Sequence, residues 1–258
     1  MANYHMEFKI ISRGQGRSVT KAASYINGEK LRDDYNGETH YNRRQDVIYR
    51  EIFQPVTAPP NFHDLQKLCE EIDKAENRYD ARTAREFKGS LPNELPLDEI
   101  VRIIREYVEE NFIVRGLCAI AAIHEGKNAS DPTKNNPHVH IIVPTRAVGR
   151  DGFNKKKDRE HNNIKYASIW REQWAEVQNR AYERNRLDIR VNHESLEVQG
   201  IRDREPTIHL SRIDWQREKS GERTIAGDKK RDIERRNNER LREKQLEREY
   251  ELEFELSR

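Results

Sequence analysis

The sequence predicts an α+β fold in which helices flank a central antiparallel sheet. Strand and helix patterns follow one another without the strict βα alternation of a doubly wound parallel sheet. Residues 117–123 and 138–143 are short, almost wholly apolar runs that are typical of buried strands. From residue 211 to the end, 14 Lys/Arg and 13 Asp/Glu leave few apolar positions, which predicts one long charged helix over about 228–256.

The remaining elements are predicted from apolar spacing and from the residues that begin or end each segment. Short aromatic and β-branched runs predict strands over residues 4–11, 47–53 and 83–91. Apolar residues spaced three to four apart predict helices that end near residues 31, 77, 111 and 186. Ser18 is a good N-cap for the first of these helices, and Asn61 or Asp64 begins the second.

The composition indicates a core in only part of the chain. The 258 residues include 48 Lys+Arg and 46 Asp+Glu, which give a net charge of +2, and only 34% are hydrophobic. Heavy but balanced charge argues against a wholly disordered chain. We therefore predict a globular domain over residues 1–210 and a charged helical extension over 211–258, which would lead into a further region or end there.

The chain shows no pattern that would direct it into a membrane or out of the cell. No apolar run approaches the ~20 residues that cross a bilayer, and the first residues lack the features of a secretory signal. Cys69 and Cys118 are the two cysteines, which excludes a disulfide framework. These features predict a cytoplasmic protein without membrane insertion. The net charge alone does not indicate a nucleic-acid partner.

Three histidines form the most informative pattern. His138 and His140 are two residues apart on a predicted strand, so both rings project from the same face of the sheet. His124 ends the preceding predicted strand, and a polar loop joins the two. Three neutral imidazoles at one point suit a divalent metal and leave its charge available to an anionic substrate. The alternative is a set of structural histidines, and the residues alone leave both open.

Four sequence blocks together resemble the MobA/MobL family of plasmid mobilization relaxases, which belong to the HUH endonucleases. The blocks are SVTKAASYINGEKLRD from Ser18, AREFKGSLPNEL from Ala84, the stretch 120–146 with its NPHVHIIVPTR, and VNHESLEVQGIRDREPTIHL from Val191. The third and fourth are the more specific, because motif, order and spacing agree. Together they cover most of residues 1–210.

The resemblance implies a function and a set of site residues. Relaxases of this family nick one DNA strand at a plasmid transfer origin, and the attacking tyrosine forms a 5′-phosphotyrosine. That residue maps onto Tyr25, the three metal ligands onto His124, His138 and His140, and the acidic residue onto Glu86, a candidate proton acceptor. The implied fold is palm-type and ferredoxin-like. Some members carry a second acidic residue two places later, where this chain has Lys88.

The resemblance also implies cofactors and partners. It indicates Mg²⁺ or Mn²⁺, whereas three imidazoles alone suit Zn²⁺ or Ni²⁺ at least as well. The expected partners are single-stranded DNA at the transfer origin, accessory relaxosome proteins and a coupling protein. Two alternatives remain, an HUH-type replication initiator and a metal-dependent nuclease that uses water. A replication initiator's tyrosine usually follows the histidine motif, whereas Tyr25 precedes it, which favours the mobilization reading.

Overall fold

The computed structural model describes residues 4–127, 135–160, 163 and 165–256. Most of the loop predicted between His124 and His138 lies outside the described residues. The contacts divide the chain into two compact units, the first ending at His193 and the second beginning at Glu194. The functional boundary predicted after residue 210 stays a prediction.

A central antiparallel sheet organises the first unit. In the described residues five strands form it, in the order β1-β5-β7-β6-β4, and every neighbouring pair is antiparallel. Two short hairpins, β2–β3 and β8–β9, complete the strands described. The strand bounds are β1 Met6–Ser12, β2 Leu31–Asp33, β3 Glu38–His40, β4 Val47–Phe53, β5 Arg82–Ser90, β6 Ala119–His124, β7 His138–Pro144, β8 Val148–Gly149 and β9 Gly152–Phe153.

Helices cover both faces of this sheet. Their bounds are α1 Val19–Asn27, α2 Leu65–Ala75, α3 Leu97–Asn111 and α4 Tyr166–Arg184 in the first unit, and α5 Arg212–Lys219 and α6 Ile225–Leu256 in the second. Within the part of the chain that is described, each helix is too short or too polar to cross a lipid bilayer. The predicted α+β class, with a long charged C-terminal helix, is confirmed.

The alternation of strand residues separates two hydrophobic cores. Residues such as Phe87 and Ile141 face α3 and α4, whereas Ala84 and Ile142 face α1 and α2. The first core is packed so closely that a Cβ at Gly89 would lie 2.7 Å from the ring of Trp174. Both cores pack against the middle strands, and these strands carry the predicted metal ligands.

Helix α1 ends four residues earlier than predicted, and this matters for the site. Ser18 caps its start by accepting a hydrogen bond from the Lys21 amide, as predicted. At its end Gly28 adopts the left-handed conformation with φ +66°, which costs other residues about 1–2 kcal/mol. A Cβ at Gly28 would also lie 3.2 Å from that of Arg44. The turn therefore brings residue 44 back against the end of α1.

The second unit is held together by charged side chains. Along α6, pairs such as Arg235–Glu239 join residues four apart. The Glu205 carboxylate receives hydrogen bonds from Arg236 at 2.9 and 2.8 Å and from Arg240 at 3.2 Å. Asn237 binds the backbone of the same residue through its side-chain amide. These pairs explain how the segment forms a helix with few apolar residues.

Candidate active site

Strand pairing brings the three predicted histidines together. In the ladder between β6 and β7, His124 lies directly opposite His138, and His140 lies opposite Ala122. Their potential ligand nitrogens all lie within 4.8 Å of one another. The ring centroids of His124 and His140 are 4.7 Å apart. The geometry expected from the sequence is therefore present, while the role of these residues as metal ligands stays a prediction.

In the neutral form of each ring, the hydrogen bonds leave one nitrogen lone pair unused. His124 Nε2 donates to the Ile26 carbonyl oxygen at 2.8 Å, and its buried Nδ1 has no hydrogen-bond partner among the described residues. His138 Nδ1 donates to the Asn136 carbonyl at 2.8 Å, and His140 Nδ1 to Glu86 Oε1 at 2.9 Å. Because a carbonyl or carboxylate oxygen only accepts, the opposite nitrogen of each ring is an acceptor whenever that ring is neutral. Fixed tautomers of this kind are typical of metal ligands.

The surroundings keep two of the rings neutral. Burial lowers the pKa of His124 to about 4, and the nearby charges of His140 and Arg44 act in the same direction. Burial also lowers the pKa of His138 to about 4, with Lys88 the largest contributing charge. Metal binding requires the unprotonated imidazole. Both rings are therefore in the binding form at neutral pH, and the donor set fits a divalent metal.

Tyr25 lies beside the histidine triad and is open to solvent. Its ring centroid is 6.3 Å from that of His124 and 6.4 Å from that of His140. The side chain is 45% exposed, although both neighbours on α1, Ser24 and Ile26, are buried. A tyrosine that only filled the core would have its ring buried between α1 and the sheet. An exposed ring next to potential metal ligands is instead accessible to a substrate.

Arg44 is a site residue that the sequence did not reveal. Its guanidinium lies 4.5 Å from the ring centroid of Tyr25. Asp46 holds it by two hydrogen bonds, of 2.8 and 2.5 Å. These bonds raise the pKa of Arg44 and lower that of Asp46 to about 2. Arg44 thus supplies a fixed positive charge beside the tyrosine. The only sequence signal is an arginine two residues before an aspartate, which is too common to be informative.

Glu86 contacts a histidine of the triad. It lies on β5, and its carboxylate accepts the 2.9 Å hydrogen bond from His140. Burial raises the pKa of Glu86, but the hydrogen bond and charge of His140, with the charges of Lys9 and Arg17, outweigh it and lower the pKa overall. Glu86 is therefore ionised and oriented toward a candidate ligand. Its proton-acceptor role stays a prediction.

Lys88 adds a second positive charge to this face of the sheet. It follows Glu86 by two residues on β5, and its Cα is paired with that of His140 across the ladder. Burial lowers the pKa of Lys88, and Glu7 partly offsets this. Within the described ranges its ammonium makes no hydrogen bond or ion pair. Lys88 and Arg44 together make the surroundings of the triad favourable for an anion.

The fold and this site define a class of protein, an antiparallel α+β domain with a histidine triad next to an exposed tyrosine. The model of the MobA/MobL family matches residues 17–220. The chain belongs to the MobA/MobL family. The membership predicted from the four sequence blocks is confirmed.

Relatives of this chain are named as conjugal transfer and mobilization proteins. The conjugal transfer protein TraA of Agrobacterium fabrum is 30% identical over 241 residues, which cover 81% of this chain and 21% of the relative. The probable mobilization protein MobA of Bifidobacterium longum is 30% identical over 254 residues, covering 81% and 43%. This chain therefore spans less than half the length of either relative.

A solved structure shares the fold. It concerns the molecular basis of vancomycin resistance transfer in Staphylococcus aureus and is 26% identical to this chain. The two superpose with a TM-score of 0.66, and the match covers 75% of this chain and 100% of that one. This likeness independently supports the fold predicted from the sequence.

Proposed function

We propose that this chain is a DNA relaxase that nicks one strand at a plasmid transfer origin through Tyr25. The observation that carries the proposal is the exposed Tyr25 ring, 6.3 Å and 6.4 Å from two rings of the histidine triad. Membership of the MobA/MobL family and the names of the relatives support it. The proposed substrate is DNA that is single-stranded at the cleaved bond, because paired bases would hold the phosphate away from Tyr25.

The proposed reaction is a transesterification. The Tyr25 oxygen forms a bond to the scissile phosphorus while the bond from phosphorus to the 3′ oxygen breaks. The tyrosine loses its proton as it attacks, and the departing 3′ oxygen ends with one. The product is a 5′-phosphotyrosine and a free 3′ hydroxyl. Because one phosphate ester replaces another, the step is reversible, and the strand can be resealed.

Charges around Tyr25 favour this reaction. Arg44 lies against the tyrosine ring, and Lys88 extends the positive charge along β5. Both would stabilise the negative charge that accumulates around a phosphate under attack. The resemblance assigns proton acceptance to Glu86. The contact between Glu86 and His140 supports a further task, which is to fix the orientation of that ring.

His124, His138 and His140 would hold a divalent metal ion. When bound, such an ion supplies a Lewis acid and a positive charge that align the phosphate. The unpartnered Nδ1 of His124 supports this assignment, because a buried ring nitrogen otherwise loses a hydrogen bond. The family resemblance indicates Mg²⁺ or Mn²⁺, whereas the all-nitrogen donor set suits Zn²⁺ or Ni²⁺. Titration with each of the four ions decides between these pairs.

The proposed partners follow from the same function. They are single-stranded DNA at the transfer origin, accessory relaxosome proteins and a coupling protein, in the cytoplasm. The relatives contain regions that this chain does not span. Binding of the accessory proteins and of the coupling protein could involve such regions and is therefore proposed separately from binding of DNA.

The deciding experiment compares Tyr25→Phe with Tyr35→Phe. Tyr35 is 51% exposed, similar to Tyr25 at 45%, and is a matched control that also tests another nucleophile. Labelled oligonucleotides from the transfer origin of the protein's own plasmid are incubated with each variant and Mn²⁺ and run on a denaturing gel. We expect Tyr25→Phe to lose both the nick and the covalent adduct, because only the attacking oxygen is removed. Tyr35→Phe should retain both.

The same gel distinguishes the alternatives. A nuclease that uses water would cut with phenylalanine at position 25 and would leave no adduct in any variant. An adduct that persists in Tyr25→Phe and disappears in Tyr35→Phe would show a correct reaction with the wrong nucleophile. Near-normal cleavage and adduct in both variants would refute the assignment of Tyr25.

A further inference from the structure

A second concave surface lies at the opposite end of β5 and β7 from the histidine triad. This basic cleft encloses about 710 Å³ and is bounded by Arg82 and Arg85 of β5, by Arg146 after β7, and by residues 155–157 and 159. Seven of its ten lining residues are Lys or Arg, and none is aromatic. Such a concentration of one charge in a concavity raises the local concentration of anions.

A buried carboxylate fixes part of the cleft. The Glu76 side chain is only 5% exposed and accepts from Arg146 Nε at 2.8 Å and from Lys157 Nζ at 2.9 Å. The Thr145 hydroxyl donates to the same carboxylate at 3.0 Å. Arg146 also donates to the backbone carbonyls of Asn154 and Lys155. The segment that carries the lysines is therefore fastened to the end of the sheet.

Four cations of the cleft remain available to a ligand. Among the described residues no ion pair is formed by Arg82, Lys155, Lys156 or Arg159, and all four are exposed. The guanidinium of Arg85 is half-buried, 5.1 Å from the ring centroid of Trp170. Burial and the charge of Arg82 lower the pKa of Arg85, although Asp158 partly offsets them. A bound anion would relieve this repulsion.

The lining indicates which part of an anionic polymer would bind. Lysine and arginine side chains bind phosphates without reading sequence, whereas bases are bound by stacking on aromatic rings. No aromatic residue lines the cleft. Arg82 and Glu86 are four residues apart on β5, which corresponds to about 13 Å along the strand. Glu86 binds His140, whose ring lies beside that of Tyr25, so a DNA strand at Tyr25 would reach the cleft within a few nucleotides.

We propose that the basic cleft binds the phosphodiester backbone of the unpaired DNA strand, a few nucleotides from the bond that Tyr25 attacks. The proposal rests on the proposed function for the identity of the strand. The cleft holds that strand through charge, independently of base sequence. It contributes affinity, while the residues around the triad contribute the chemistry.

The test measures the salt dependence of binding, which needs no cleavage. The chain with Tyr25→Phe is titrated with a fluorescent single-stranded oligonucleotide in EDTA at several salt concentrations. Lys155→Gln/Lys156→Gln removes two exposed cations from the cleft. Because each lost phosphate contact lowers the slope of log K against log salt by about 0.7 for single strands, we expect the slope to decrease by about 1.4. The decrease should be the same for an oligonucleotide of unrelated sequence.

Arg102→Gln/Arg105→Gln is the matched control. These two exposed arginines lie on α3, outside the cleft, and the control removes the same charge. We expect its slope to equal that of the parent chain. Equal slopes in all three proteins would refute the proposal, and so would equal decreases in both double variants, because a general charge effect would then account for them.

Oligonucleotide length provides a second measurement. Strands are extended stepwise from the cleavage position in the 5′ or the 3′ direction. The parent chain should gain affinity once the strand reaches the cleft in one direction, and the lysine double variant should gain less. An undiminished gain in that variant would refute the proposal. If wild-type protein forms no adduct but the slope still decreases, the proposed function fails while the cleft is retained. If the wild-type protein forms the adduct but the slopes are unchanged, the proposed function is retained and the proposal for the cleft fails.

Discussion

The two ends of strands β5 and β7 are built on different principles. At one end, each histidine of the triad is fixed by a specific hydrogen bond, as for His124, which is fully buried, and His140. At the other end, Lys155 and Lys156 are exposed and unpaired within the described residues. The first arrangement specifies positions, as chemistry at a phosphate requires. The exposed lysines of the second supply charge without a fixed position, which suffices to hold a polyanion.

The largest effect is expected from removing two histidines of the triad. In His138→Ala/His140→Ala a single imidazole remains, which cannot hold a divalent ion tightly. We expect tight metal uptake, measured by calorimetry, and nicking of the oligonucleotide to be lost together. The double lysine variant of the cleft should take up metal normally, which makes it the control. Unchanged metal affinity in the double histidine variant would show that the triad is not the metal site.

Substitutions of Glu86 are expected to have a smaller effect, in which metal affinity and nicking can be changed separately. Glu86→Ala removes the hydrogen bond to His140, and loss of such a partner typically lowers metal affinity 10–100-fold. Glu86→Gln keeps an oxygen that accepts from His140 but removes the carboxylate. We expect it to bind metal within about tenfold of the wild type and to lose nicking. Calorimetry and the oligonucleotide gel measure the two quantities separately.

Each Glu86 variant tests one of the two assigned tasks. Normal nicking by Glu86→Gln would refute proton acceptance. Normal metal affinity in Glu86→Ala would refute the positioning role. Glu110→Gln is the control, because Glu110 is an exposed residue of α3 whose carboxylate pairs with Arg180 of α4, away from the triad. It should leave both quantities unchanged.

The smallest effect is expected from deleting the charged helix. Tyr25, the histidine triad and the basic cleft all belong to the first compact unit, which ends at His193. Truncation after Thr224 should therefore leave cleavage of a short oligonucleotide unchanged and reduce nicking of a supercoiled plasmid. Circular dichroism establishes that the truncated chain is folded. Loss of oligonucleotide cleavage in a folded truncation would contradict this division between the predicted regions 1–210 and 211–258.

The sequence predicted those parts of the fold and site that depend on local periodicity. The apolar runs in β6 and β7 predicted that these segments are strands. The two-residue spacing of His138 and His140 predicted that both side chains lie on the same face of the sheet. The spacing of opposite charges predicted α6, because ion pairs between residues four apart stabilise this helix. Each of these features is determined by residues within a few positions of one another.

Features that depend on approach between distant segments were not predictable from the sequence. Arg44 reaches Tyr25 only because Gly28 ends α1 early and the chain turns back. The Ile26 carbonyl that fixes His124 is a backbone atom, which no residue type signals. Glu76 has the pattern of an ordinary residue at a helix end, yet it is buried against Arg146. Tertiary packing decides all three.

The hydrogen bond between Ile26 and His124 links two functions through one turn of helix. Tyr25 and Ile26 are consecutive residues of α1, so the side chain of one and the carbonyl oxygen of the other are held by the same stretch of helix backbone. A shift of α1 by one residue would displace the tyrosine and remove the acceptor of His124 at once. An insertion or deletion within this turn therefore cannot be neutral for either function. The position of the proposed nucleophile and the tautomer of His124 therefore depend on the same residues of α1 and must be conserved together.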